Sequence, residues 1–405
     1  MKFGIQEFIL EAAVISIEDD TDLKLQNFNF EVAIVLNFPR KSPLEIADDL
    51  VFSQIKRHLN DLEQLIIQGT ISNQTYEQIA ASSNYSTHQL KELASNLWKV
   101  LSETLGEKVN KTNFKNIIQQ QVNYSQIDIH RSLRQGQCFI EDLGNGVQLE
   151  MVSIPEGSFL MGSPENEPER YDDESPQHQV TVSAFFMGKY PITQAQWRAV
   201  AALPDINRHI EPNPSEFKGD NRPVEKVSWY DALEFCDRLA AYTKRQYRLS
   251  SEAEWEYACR AGTTSPFYFG EKITSDLANY DANYDANYDT NESYGAGIQG
   301  TYREETTVVG SLGVANAFGL YDMHGNVWEW CLDDWHSNYE SAPTDGSAWF
   351  NNDNPYQKQV LAVLRGGSWL DLPVDCRCAC RVGNIRSGLH NNFGFRIVCG
   401  VGETA

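Results

Sequence analysis

From Leu149 to Gly400 the chain carries no long apolar period. Short strand-like pieces alternate with Gly and Pro breaks, and tryptophan and tyrosine are plentiful after Trp197. A stretch of this kind builds its core from large aromatic side chains set among ordered loops rather than from long helices or strands.

With 405 residues the chain is long enough for two or three domains. Its net charge of −23 has the wrong sign for general affinity to a phosphate backbone, and it suits a protein able to hold divalent cations. No apolar run reaches eighteen residues, so no membrane helix is expected. Met1–Leu10 lacks the basic and apolar regions of a signal peptide, so the expected compartment is the cytoplasm.

The N-terminal third reads differently. An apolar-rich piece, Phe3 to Ile17, is followed by the acidic turn Glu18 to Asp22. Phe28 to Phe38 then alternates with strand period. Residues 1–40 are therefore expected to form a short extended segment, read as a small hairpin. Residues 41–120 are expected to be helical. Ile46, Leu50, Ile55, Leu59, Leu62, Leu65 and Ile66 follow one helical face, and a second helix begins at Thr75. A third is capped by Ser86 and stopped by Gly106. Residues 121–137 read as a linker and 138–405 as the larger domain.

The stretch from Pro43 to Gln120 resembles the helix-turn-helix domain found at the N-terminus of many cyanobacterial signalling proteins. In a DNA-binding member the helix after Ser86 would enter the major groove. Here residues 1–125 hold 11 Lys+Arg against 16 Asp+Glu, a net of 11 − 16 = −5. Lys91 and Lys99 are offset by Glu92 and Glu103. A signalling-protein partner is expected at this domain, and nucleic acid is not.

In the larger domain an ordered series of segments stands out. These are Met151–Ser163, a helix beginning near Thr193, a helix from Ser228 or Trp229, and a helix capped by Ser250 with Glu252 and Glu254 in its first turn. They continue as "NAFGLYDMHGNVWEWCLDDW", "LRGGSW" and "NNFGFRIV". Together they resemble the formylglycine-generating, or sulfatase-modifying-factor, family over about 250 residues. The resemblance implies an α+β, C-type-lectin-like domain with many loops, preceded here by the small, mostly helical domain.

It also implies functional expectations. The family's enzyme uses two cysteines to bind copper, one within an Arg-Cys-Ala-x-Arg segment and one five residues earlier. Cys378 occupies the first position and Pro373 the second, so copper and oxidase activity are not expected. Cys376, Cys378 and Cys380 alternate too tightly for a zinc loop and are read as ordinary thiols. A family calcium loop maps onto Asp322, Gly325, Val327 and Glu329, with a second site near Asn287 and Tyr288. This mixture of oxygens suits calcium in a structural role. His324, inside that loop, is given no role.

Between Leu370 and Phe393 the framework residues are family-like, but the fillings are not. Leu370, Asp371, Leu372, Val374, Asp375, Cys378, Cys380, Val382, Gly383, Asn384, Ile385, Ser387, Gly388, Leu389, His390, Asn391 and Asn392 follow neither helix nor strand period. Lys, Glu, Gln, Met and Trp are absent from them. This pattern resembles the variable region of diversity-generating retroelement proteins, in which Asn codons are randomised. The expectation is a non-catalytic binding surface for a protein or small-molecule ligand. The competing readings are a copper-dependent oxidase that converts cysteine to formylglycine and a DNA-binding regulator.

Overall fold

The computed structural model describes residues 24–37, 42–118, 127–283, 294, 300–351 and 360–404. The Phe3–Ile17 piece and its acidic turn lie outside the described residues. The chain divides into two compact units. One comprises Met1–Ile34, Arg131–Gly295 and Gln299–Ala405; the other comprises Val35–His130 and Ala296–Ile298.

The smaller unit is helical: α1 (Pro43–Ile55), α2 (Asp61–Ile71), α3 (Tyr76–Ala81) and α4 (Thr87–Leu105). Each begins with a side chain that accepts a backbone N–H three residues on, completing a capping box. Ser86 caps α4 and Gly106 closes it in the left-handed conformation, as the sequence indicates. The periodic run from Ile46 to Ile66 is two helices rather than one. Lys56 takes a left-handed φ of 56°, and Asn60 starts afresh by accepting from Leu62 and Glu63. The apolar period continues across the break because both helices bury the same kind of face, including Ile46, Val51, Ile66 and Ile67 with Leu90, Leu97 and Leu101 of α4.

The larger unit is mixed helix and sheet. A six-stranded sheet has the order β1-β2-β3-β6-β12-β7, with β1 (Gln26–Asn37), β2 (Ile127–Asp142), β3 (Gln148–Ile154), β6 (Phe185–Gly188), β7 (Arg245–Leu249) and β12 (Ile397–Thr404). A four-stranded sheet, β10-β9-β8-β11, uses β8 (Trp328–Asp334), β9 (Leu361–Arg365), β10 (Arg381–Ile385) and β11 (Phe393–Gly394). The hairpin β4 (Gly157–Met161) and β5 (His178–Val182) stands apart. Three helices pack around them: α5 (Gln194–Ala201), α6 (Trp229–Thr243) and α7 (Glu252–Arg260). α5 and α6 begin where expected, capped by Thr193 and Ser228, whereas α7 is capped by Ser251, one residue after Ser250.

Two boundaries differ from the sequence reading. The first strand does not stand as a segment of its own: Phe30 and Val32 pack on Ala315, with Phe28 and Tyr321 alongside. The expected linker also contains the start of β2. That strand is built by backbone pairing while most of its N-terminal half is exposed, so it lacks the apolar alternation that would have announced it.

Aromatic rings fill the centre of the larger unit. Trp197 stacks on Phe235 at 5.7 Å, and Phe395 meets both edge-on. Trp328 and Trp330 of β8 join the same core.

Candidate functional site

Five arginines hold the C-terminal loops. Arg365, Arg377, Arg381, Arg386 and Arg396 are all buried, and each meets a carboxylate. Arg377 grips Glu174 through two nitrogens, at 2.5 and 2.8 Å, and reaches Glu167 at 2.6 Å. Arg381 makes a two-pronged pair with Glu252, both contacts at 2.7 Å. Arg365 pairs with Glu256 and donates to the Cys380 carbonyl. Burial alone would raise the Glu256 pKa, but the Arg260 and Arg365 charges hold it below the usual carboxylate range. Paired, hydrogen-bonded charges in a dry interior fix geometry, because any displacement leaves one of them unpaired.

On this frame the predicted variable residues separate into three groups. Leu370, Ile385, Ser387, Leu389 and His390 are exposed. Asp371, Leu372, Val374, Asp375, Val382, Gly383, Asn384 and Asn391 are half-buried. Cys378, Cys380, Gly388 and Asn392 are buried, which corrects the expectation that they line a surface. Their places lie on the inner side of the loops, where the spacing of the sequence gives no warning. The loops around Leu370 and Leu389 are tied together. The Trp369 indole donates to the Asn391 carbonyl at 3.3 Å, and the Asn392 amide to Ser368 at 3.1 Å. Trp369 itself is wedged between Phe217 and Tyr302. A cleft of about 620 Å³ reaches Ser387 and is lined also by Arg208, Tyr230, Leu233 and Glu234.

In the expected calcium loop both carboxylates have protein partners. Both Glu329 oxygens are taken by Arg396, at 2.7 and 2.9 Å, and the Trp255 indole adds a third hydrogen bond at 2.7 Å. A guanidinium already neutralises the carboxylate that a calcium ion would need. Asp322 accepts the Gly310 N–H at 2.7 Å, and burial lifts its pKa to about 6. Gly325 serves packing: its φ is +79°, and a Cβ there would sit 2.2 Å from the Asn279 carbonyl oxygen. The Val327 N–H turns back to the Gly325 carbonyl. Asn287 and Tyr288 lie outside the described residues.

Sequence reasoning missed a different grouping. All eight cysteines are free and buried. Cys259, at the end of α7, donates to the sulfur of Cys378 across 3.6 Å, and His324 completes a cluster whose ligand atoms lie within 4.8 Å of one another. The His324 ring is enclosed by Phe267, Tyr268 and Phe269. Its Nδ1 lies 2.7 Å from the Cys376 carbonyl oxygen, and its Nε2 accepts the Tyr268 N–H at 3.1 Å. Burial pushes the Cys259 thiol well up. At Cys378 burial also pushes upward, but the hydrogen bond from Cys259, the His324 ring and the Arg260 charge together bring it below the ordinary thiol value. Nothing local pointed to this cluster, since Cys259 and Cys378 are 119 residues apart in sequence.

Among the described residues no helix is long and apolar enough to cross a membrane. Comparisons with known proteins agree with the two-unit organisation. Residues 40–121 match the family described as vWA-MoxR associated protein N-terminal HTH. The serine/threonine-protein kinase pkn1 of Chlamydia caviae is 33% identical over 277 residues, covering 62% of this chain and 38% of that protein. This chain therefore spans well under half of that relative's length. The formylglycine-generating enzyme of Mus musculus is 30% identical over 295 residues, covering 61% of this chain and 74% of the enzyme. In structure, PvdO from Pseudomonas aeruginosa matches with a TM-score of 0.53 and 32% identity, over 64% of this chain and 97% of PvdO. The mixed helix-and-sheet architecture fits the lectin-type fold that the sequence resemblance implies. Residues 141–401, more than half of the chain, match the sulfatase-modifying factor enzyme 1-like domain, and the chain belongs to that family.

Proposed function

We propose that the larger unit is a non-catalytic binding module that displays a diversified face, as in a diversity-generating retroelement variable protein. One observation carries this reading: Leu370, Ile385 and Leu389 are 47%, 49% and 57% exposed on loops held by buried, ion-paired arginines. Exposed apolar side chains on a fixed frame suit recognition, since they can be exchanged without disturbing the core. Pro373, where the family's oxidase has a cysteine, removes the expected copper pair and points the same way.

The smaller unit is read as a docking domain for a signalling protein. Its likeness to a vWA-MoxR associated protein HTH supports this, as does the pairing of the α4 cations: Lys91 with Glu77 at 2.9 Å and Lys99 with Glu103 at 3.9 Å. Those pairings leave little free positive charge for a phosphate backbone.

The neighbouring DNA tests the main reading. A reverse-transcriptase gene and a near-copy of the codons for 364–398, with Asn codons at the variant positions, is the expected result. A locus with neither removes the case for diversification. Incubating the purified protein, loaded with Cu(I), with a Cys-x-Pro-x-Arg peptide tests the alternative. Unchanged peptide is expected, and conversion to formylglycine would overturn the binding-module reading.

A further inference from the structure

One face of α6 forms the floor of a cleft. Tyr230, Leu233, Glu234 and Asp237 recur at three- and four-residue spacing and so share that face. With Asn207, Arg208 and Ser387 they line about 620 Å³, a size that suits a small organic molecule. Both walls are held in place. Buried Glu234 accepts the backbone N–H groups of Ile206 and Asn207, each at 2.8 Å, and buried Arg238 donates to the carbonyls of Leu203 and Arg208 at 3.0 and 2.7 Å. On the other side the Arg386 carbonyl accepts the Trp229 N–H at 3.0 Å, which sets the next residue, Ser387, at the rim. We propose that this cleft binds a small organic amine with an aromatic or apolar body, its cation against Asp237, and that Ser387 tunes the fit.

Charge and surface select the ligand. Arg208 is paired with Asp231 at 3.3 Å, and Arg238 with Glu234 at 2.7 Å and with Asp205. Asp237 accepts a hydrogen bond from the Asn207 amide at 2.7 Å but meets no cation among the described residues. Partial desolvation and the Glu234 charge push its carboxyl above the ordinary value, so its charged form lacks the compensation that an ammonium group would bring. An anionic ligand gains less, because the one cation lining the cleft, Arg208, already has its carboxylate. Leu233 and Tyr230 are half-buried and offer an apolar surface to the body of the ligand, and an aromatic ring also attracts a cation. The part given to Ser387 rests on the binding-module reading: exchange at that exposed position changes one wall of the cleft and leaves the floor on α6 intact.

The test titrates the full chain with two probes that share a ring and differ in charge, phenylethylamine and phenylacetate. The amine is expected to bind about tenfold or more tightly than the acid. Asp237→Asn should abolish that preference, and Ser387→Trp, which fills the cleft from an exposed position, should abolish binding. Glu340→Gln removes the same charge from an exposed site outside the cleft lining and should change nothing. No binding of the amine, equal binding of the two probes, or a preference that survives Asp237→Asn would each overturn the proposal. A lysine-rich peptide that displaces the amine and binds far more tightly, in an Asp237-dependent way, would assign the cleft to a protein ligand and overturn it too. The two readings fail separately: a locus without the reverse transcriptase and codon copy removes diversification and leaves the amine site, whereas a failed titration removes the amine and leaves diversification.

Discussion

Arg396 and Glu329 form a two-pronged ion pair with both side chains buried, at 2.7 and 2.9 Å, and the Trp255 indole completes it at 2.7 Å. The pair joins β8 to the segment just before β12, and so links the two main sheets of the larger unit. Glu329→Gln leaves the Arg396 charge buried and without its partner, and is expected to cost about 3–5 kcal/mol in chemical denaturation. Calcium added to the wild-type protein is expected to leave its melting temperature unchanged. A calcium-dependent rise in melting temperature that disappears in Glu329→Gln would restore the calcium loop.

Glu225 gives a pH dependence. It is buried, its Oε1 accepts from Phe217 at 2.9 Å, and its Oε2 has no hydrogen-bond partner. Burial lifts its pKa from 4.5 to about 7. Between those values the folded protein holds a proton that the unfolded chain has released. The stability from this group is therefore full below pH 4.5 and is lost as pH rises through 7. Stability measured from pH 4.5 to 8 should fall less steeply in Glu225→Gln, which cannot ionise. Parallel curves for the two proteins would show that the carboxyl does not titrate there.

The exposed loop residues should tolerate exchange. Leu370→Asn, Ile385→Asn and Leu389→Asn are each expected to shift unfolding free energy by no more than about 0.5 kcal/mol, as for surface positions free of special contacts. Phe395→Ala, in the aromatic core, should cost about 3–5 kcal/mol. If the loop changes cost as much as the core change, these residues serve packing rather than display.

In the helical unit the Ser86 side chain accepts the Gln89 N–H at 3.3 Å and opens α4. Ser86→Ala should lower the stability of that unit by about 1 kcal/mol, read from the loss of helical circular dichroism on heating. An unchanged transition would mean that packing of Leu90, Leu97 and Leu101 alone sets the helix start.

Much was legible before the structure. The cap at Ser86, the helix starts near Thr193 and Ser228 and the stop at Gly106 could be read because a helix end is a local event, settled by a side chain and a backbone N–H three residues away. The β1 alternation could be read for the same reason, although its place in the large sheet could not. At Glu329 motif position shows which oxygens are available and not which guanidinium reaches them from 67 residues away.

The sequence by itself determined the two-part division, the helical character of 43–105, the loop-rich aromatic character of the larger unit and the family it belongs to, all of which rest on local periods, caps and ordered motifs. Only the tertiary structure decided the rest. It placed Leu370, Ile385 and Leu389 outward and Cys378 and Cys380 inward, although all five lie within one short stretch. It also brought Cys259 to Cys378. Burial and long-range pairing depend on how the whole chain closes around its charged and aromatic core, and no window of neighbouring residues contains that information.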